Sequence, residues 1–205
     1  KNQKLTDGAL PKPLALHLKS KKLLIDNSNT DIEPRTYFII AGEQSADNHG
    51  AELIKAILTK KPDAKFFGIG GNQMINAGLQ SIEDIEKMSV MGFVEVIRHL
   101  VFFWDLSKRV LAEIAKCKPS QIILMDYPGF NLRLAKNIKK EFNIPITYYI
   151  SPQLWAWKEN RIKTIQKYID QMLVIFPFEE EWYRDRGVEA KFVGHPIFDE
   201  WKASP

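Results

Sequence analysis

The sequence predicts an α/β fold: an open, mostly parallel sheet with helices on both faces. Short apolar runs, each stopping at a glycine or a polar residue, alternate with segments whose apolar residues recur at helical spacing. Strand, helix, strand in that order is the pattern of a parallel sheet built from crossover units. The chain has 205 residues, 45% of them hydrophobic, which suits one well-formed core with a short appendage and is too little for two full α/β domains.

Residues 1–35 stand apart. Scattered lysines, Pro11, Pro13, Pro34 and the polar run Asp26 to Asp31 read as a leader or linker with little structure of its own, although Leu14, Leu16 and Leu18 alternate as in a short strand. The regular pattern occupies 36–200. Tyr37 to Ala41 is an apolar run ending at Gly42, as in a buried parallel strand. Ala51, Ile54, Ile57 and Leu58 follow at helical spacing, and Pro62 ends that helix. Phe66 to Ile69 is the second strand and Ile122 to Met125 the third, followed by a helix bearing Leu134, Ala135, Ile138 and Phe142. Further strands fall at Ile146 to Ile150 and Met172 to Ile175, with a helix from Lys158 to Tyr168 between them, and Ala190 to Val193 closes the sheet. Residues 201–205 carry neither a helix stop nor a closing strand and read as the start of a connection to a further domain.

Composition excludes several classes. Lys plus Arg is 29 against 25 Asp plus Glu, a net charge of +4, which favours anionic partners without being a nucleic-acid signature. Cys117 is the single cysteine, so neither a disulfide framework nor a Cys/His metal site is expected, and a reducing compartment is. No stretch reaches the roughly 18 apolar residues of a membrane span.

In an open parallel sheet, ligands bind outside the carboxyl ends of the strands. The loops that start there are the candidate site. After the first strand come Gly42, Glu43, Ser45 and Asp47: Gly42 suits a tight turn, Ser45 or Asp47 suits a helix cap, and neither role accounts for the Glu43 carboxylate. After the second strand, Gly70 and Gly71 serve either close backbone packing or contact with a sugar or phosphate. The surrounding GIGGNQ lacks the last glycine of a dinucleotide fingerprint and follows the wrong strand for one. After the third, Asp126 stands at a strand tip, Pro128 restricts the turn and Asn131 can cap the next helix. Ser151 to Lys158 holds Trp155 and Trp157, which serve either sugar stacking or packing, and His195 sits between Gly194 and Pro196.

Val90 to Trp104 is unusual, with eleven apolar residues of fifteen. Glu95, Arg98 and His99 mark a polar face, yet Phe102 falls on it too. Either this is a core helix, or Val94, Ile97, Val101, Phe102, Phe103 and Trp104 contact a membrane surface or acyl chains.

Six segments together carry a resemblance: Ala41 to Asp47, Val90-Met91-Gly92, Asp126 to Asn131, Ser151 to Trp157, Pro177-Phe178-Glu179 and Gly194-His195-Pro196. In their order and spacing the chain resembles the lipid-A-disaccharide synthase family from about Tyr37 to Asp199. One departure is Ala46, which stands where the family's first loop has glycine; a positive φ there would strain it. The resemblance implies the Rossmann-like N-terminal domain of a GT-B-type glycosyltransferase, with the nucleotide-sugar site mainly in a second domain. It implies transfer of 2,3-diacylglucosamine from UDP-2,3-diacylglucosamine to the 6-hydroxyl of 2,3-diacylglucosamine 1-phosphate, with inversion and without metal or organic cofactor.

Asp126 is then the expected base, with Glu43 and His195 the alternatives; Glu43 otherwise orients the acceptor or positions Asp126. Gly42, Ser45, Asp47, Gly70, Gly71, Met91, Asn131, Ser151, Trp155, Trp157 and His195 are the expected substrate contacts. The enzyme would work at the cytoplasmic face of the inner membrane as a peripheral protein, without nucleic acid, and the resemblance leaves room for a homodimer. The chain alone would not turn over. Two rivals remain: another sugar-nucleotide enzyme on the same plan, and a non-catalytic lipid-binding module.

Overall fold

The computed structural model describes residues 35–83, 96–156 and 159–196, with the backbone alone for 96–100. Strands and helices alternate: β1 Thr36–Ala41, α1 Gln44–Lys60, β2 Lys65–Ile69, α2 Asn72–Asn76, β3 Leu79–Glu83, α3 Val96–Cys117, β4 Gln121–Met125, α4 Pro128–Glu141 and β5 Ile146–Tyr149. A 3₁₀ turn at Glu159–Arg161 then leads to α5 Ile162–Tyr168, β6 Gln171–Val174, α6 Pro177–Arg184 and β7 Ala190–Phe192. Residues 1–34 of the expected 1–35 leader and the connection at 201–205 lie outside the described residues, as do Met91, Val94 and Trp157.

The seven strands form one sheet in the order β3-β2-β1-β4-β5-β6-β7. Every pairing among them is parallel, where the sequence predicts a mostly parallel sheet. Alternate residues of each strand face opposite layers. Phe38, Ile40, Ile122, Leu124 and Tyr148 pack under α3, α4, α5 and α6, through Leu106, Val110, Ile138, Ile165 and Tyr183. Tyr37, Ile39, Ala41, Ile123 and Met125 pack with Leu53, Ile54 and Ile57 of α1 and Met74 of α2. Helices therefore cover both faces, as the alternation predicts.

Several element predictions change: β3, α2 and α6 are not among the predicted elements, and β5, β6 and β7 each end one residue before the predicted boundary. Strand β3 has no signal in the sequence, because Leu79-Gln80-Ser81-Ile82-Glu83 lacks an apolar run and pairs with one neighbour only, at the sheet edge. The fifth strand stops at Tyr149, one residue early, because Ile150 turns into the left-handed region at φ 62°.

The strand order reverses between β1 and β4. At such a switch point the following helices leave toward opposite faces and open a crevice at the carboxyl end of the sheet. The loops at Gly42–Glu43 and Asp126–Tyr127 are its two walls.

Candidate active site

Asp126 and Tyr127 leave β4 through two consecutive left-handed residues, at φ 49° and 43°. Non-glycine residues seldom adopt this conformation, and each costs about 1–2 kcal/mol. The fold holds the turn by its carbonyls. Asn131, buried in α4, donates from Nδ2 to the carbonyl oxygens of Met125 at 3.0 Å and Asp126 at 2.7 Å. The hydroxyl of Tyr148, buried in β5, donates to the same Asp126 oxygen at 2.6 Å. Asn131 thus does not cap α4, whose N-cap is Tyr127; it braces the turn before it.

Across the crevice, Gly42 is buried against Tyr127. A β-carbon on Gly42 would sit 2.3 Å from that of Tyr127, so only glycine allows the β1 loop to approach this closely. Glu43 follows as the N-cap of α1, exposed and extended. The close approach of the loops brings two carboxylates together. Burial, and after it the negative charge of Glu43, pushes the Asp126 carboxyl from 3.8 up to about 6. Burial and Glu43 also raise the Tyr127 phenol. Among the described residues no side chain or backbone N–H donates to the Asp126 carboxylate; its hydrogen bonds run through its carbonyl. A half-buried carboxylate with a raised pKa and no donor is poised to take a proton from a bound hydroxyl.

Other predicted residues have structural duties. Asp47 lies within α1 and does not cap it. Its buried carboxylate accepts the backbone N–H groups of Gly71 at 2.9 Å, Gln73 at 3.0 Å and Met74 at 3.0 Å, which caps α2 instead. Gly70 N–H reaches Ser81 Oγ at 3.4 Å. The amides of Gly70 and Gly71 are therefore both taken, and close packing is the use the structure shows for these glycines. Ala46 is buried inside α1 in helical conformation, so replacing the family's glycine brings no strain. Ser45 is exposed on the first turn of the same helix.

The loops after β5 and β6 are clamped to each other. Ser151 Oγ donates to Glu179 Oε1 at 2.7 Å, and Phe176 N–H donates to Glu179 Oε2 at 3.0 Å. Outside the clamp lies an aromatic row: Trp155 against Phe178 at 5.3 Å, Phe178 against Phe176 at 5.9 Å, and Phe176 against His195 at 5.5 Å. Trp155 and Phe178 keep 41% and 48% of their surface exposed, so this row is not core.

Helix α3 divides the residues expected at a lipid surface. Val101 and Trp104 are 61% and 63% exposed and lie one turn apart on one face, and Lys108 sits 3.2 Å above the Trp104 ring. Ile97 is helical and falls one turn before Val101. Phe102 and Phe103 instead pack partly buried against the core. Phe103 contacts Phe130 at 5.4 Å and Tyr127 at 5.5 Å, so the exposed helix rests on the turn that carries Asp126. Phe102 contacts the Phe103 ring edge-on at 5.3 Å.

The residues whose roles sequence reasoning missed are Tyr127, Tyr148 and Glu179. Tyr148 left one signal, a phenol inside an otherwise apolar strand. Among the described residues no group of three or more His, Cys, Asp or Glu side chains comes together as a metal site. No helix among them is long and apolar enough to cross a membrane.

Comparison with known proteins now bears on this geometry. Residues 37–205 match the family model described as lipid-A-disaccharide synthetase. The chain is 41% identical over 167 residues to a lipid-A-disaccharide synthase of Myxococcus xanthus, covering 82% of this chain and 43% of the relative. It is 46% identical over 160 residues to one of Acidobacterium capsulatum, covering 78% and 40%. It is 47% identical over 159 residues to lipid-A-disaccharide synthase 1 of Legionella pneumophila, covering 78% and 41%. The chain thus spans about two fifths of the length of the curated relatives it matches.

Proposed function

The chain belongs to the lipid-A-disaccharide synthetase family, and from that premise we propose that it is the acceptor-side half of a glycosyltransferase. The full enzyme moves 2,3-diacylglucosamine from UDP-2,3-diacylglucosamine to the 6-hydroxyl of 2,3-diacylglucosamine 1-phosphate. The observation that carries this reading is the Asp126–Glu43 pair at the switch-point crevice, with Asp126 pushed up to about 6.

In the inverting step, the acceptor's 6-oxygen forms a bond to the anomeric carbon of the donor sugar. The bond from that carbon to the UDP oxygen breaks, and UDP leaves with the electron pair. The hydroxyl proton passes to Asp126, which is ionised at neutral pH and basic enough to receive it. Glu43 keeps Asp126 basic by its charge. The strained turn, braced by Asn131 and Tyr148, fixes where the carboxylate stands. Holding both substrates in line is the larger share of such catalysis.

The Val101–Trp104 face of α3 serves as a peripheral contact with the cytoplasmic face of the inner membrane. An exposed indole beside a lysine suits the headgroup layer, where the ring is half-buried and the cation meets lipid phosphate. Trp155 and Phe178 offer ring faces to a sugar or an acyl chain at the same edge of the sheet.

The test is release of UDP by the full-length enzyme. Release that requires 2,3-diacylglucosamine 1-phosphate, with a disaccharide 1-phosphate as product, is expected. Release without the acceptor, or binding of lipid with no turnover, contradicts the reading and favours the other sugar-nucleotide enzyme or the binding module respectively.

A further inference from the structure

We infer that Arg161 is the phosphate-recognition residue of the acceptor site, its guanidinium receiving the anomeric phosphate of the sugar whose hydroxyl faces Asp126. Arg161 closes the 3₁₀ turn before α5 and is half-buried. Its guanidinium lies over Gly129, the second residue of α4: a β-carbon on Gly129 would meet Arg161 Nη2 at 4.0 Å and nothing else within that distance. Gly129 follows the Asp126-Tyr127-Pro128 turn directly, so the cation stands beside the turn that carries the base. The Arg161 charge reaches Tyr148, the residue whose hydroxyl holds the Asp126 carbonyl.

The same guanidinium is not spent on a protein acid. Among the described residues Arg161 makes no ion pair. Its sequence neighbour Glu159 is held by Arg186 at 2.5 Å. A half-buried arginine without a carboxylate partner, at the edge of a crevice, is fitted to an incoming anion. Its planar fork matches two oxygens of a phosphate monoester better than a hydroxyl or a single carbonyl. A sugar 1-phosphate that presents its 6-hydroxyl to Asp126 carries its phosphate on C1, which with C5 flanks the ring oxygen, so both groups lie along one edge of the pyranose ring. Such a ligand calls for a base and a cation on one crevice, which Asp126 and Arg161 supply.

This inference rests on the acceptor reading above, and the experiment separates the two. Binding to the 205-residue chain is measured by calorimetry for a short-chain 2,3-diacylglucosamine 1-phosphate, for the same sugar without phosphate, and for inorganic phosphate. Wild type is expected to prefer the phosphorylated sugar, and R161Q to lose that preference with about a tenfold or greater fall in affinity. R161K should retain part of it, since it keeps the charge and loses the fork. R133Q, on the exposed face of α4 one turn after Gly129, should leave it largely unchanged. Circular dichroism confirms that each variant is folded. An R161Q chain that still prefers the phosphorylated sugar overturns the assignment, as does an equal effect of R133Q. Wild type that binds both sugars equally overturns the assignment while leaving the acceptor reading intact. Inorganic phosphate bound as tightly as the phosphorylated sugar makes this a free-anion site and overturns it too. Wild type that binds neither sugar overturns the acceptor reading and the assignment with it.

Discussion

Replacing Asp126 by asparagine should stabilise the fold while removing its base. The carboxyl is pushed from 3.8 to about 6 by burial and by Glu43. The folded chain therefore holds the Asp126 proton more tightly than the unfolded chain does. Between those two values the folded state binds more protons, so stability falls as pH rises through the window and stays reduced above it. A shift of about two units corresponds to about 3 kcal/mol of destabilisation at pH 7.5. Asparagine removes the charge at constant shape. It tolerates the left-handed φ of 49° at least as well as aspartate does. No side-chain hydrogen bond is lost among the described residues, because the turn is held through the Asp126 carbonyl. Urea unfolding of wild-type and Asp126→Asn chains at pH 7.5 should differ by about 2–3 kcal/mol in favour of asparagine. Below pH 4 the difference should shrink toward zero, since both side chains are then neutral. An asparagine variant that is less stable at pH 7.5, or a difference that ignores pH, refutes the reasoning.

Glu43→Gln removes the second cause of the raised Asp126 carboxyl, so the acid limb of kcat/KM in the full-length enzyme should move below pH 6; an unmoved limb contradicts the pairing. Asp47→Ala strands three backbone N–H groups at the start of α2 and should lower stability by about 3 kcal/mol or more, read by urea unfolding, with Asp47→Asn losing less. Val101→Ser with Trp104→Ser should reduce vesicle co-sedimentation at unchanged Tm, whereas Phe103→Ser should lower Tm because that ring packs on Tyr127 and Phe130; the opposite pattern would move the lipid contact inward.

Much of this fold was legible because a parallel strand buried on both faces leaves an uninterrupted apolar run. Phe38 to Ala41, Ile122 to Met125 and Met172 to Val174 are such runs, and each became a strand. Strand β3 was invisible because an edge strand needs no such run. The position of the candidate crevice was legible in its loops, since the carboxyl ends of strands are where such a crevice opens, and Asp126 and Glu43 stand at those ends. Individual roles were less legible. Asp47 and Asn131 look like caps of their own helices, yet each side chain is directed by partners distant from its own helix start, at Gly71 to Met74 and at Met125 to Asp126. Arg161 and Tyr148 reach the Asp126 turn only through tertiary packing, and no local pattern marks them.

The central claim is that Asp126 takes the proton of the attacking hydroxyl. Its most direct test is kcat and KM for disaccharide formation by the full-length enzyme carrying Asp126→Asn. A fall in kcat of about 10²–10⁴-fold, with KM little changed and the fold intact or more stable, is expected. A stable Asp126→Asn enzyme with near-normal kcat would contradict the account and transfer the role of base to Glu43 or His195.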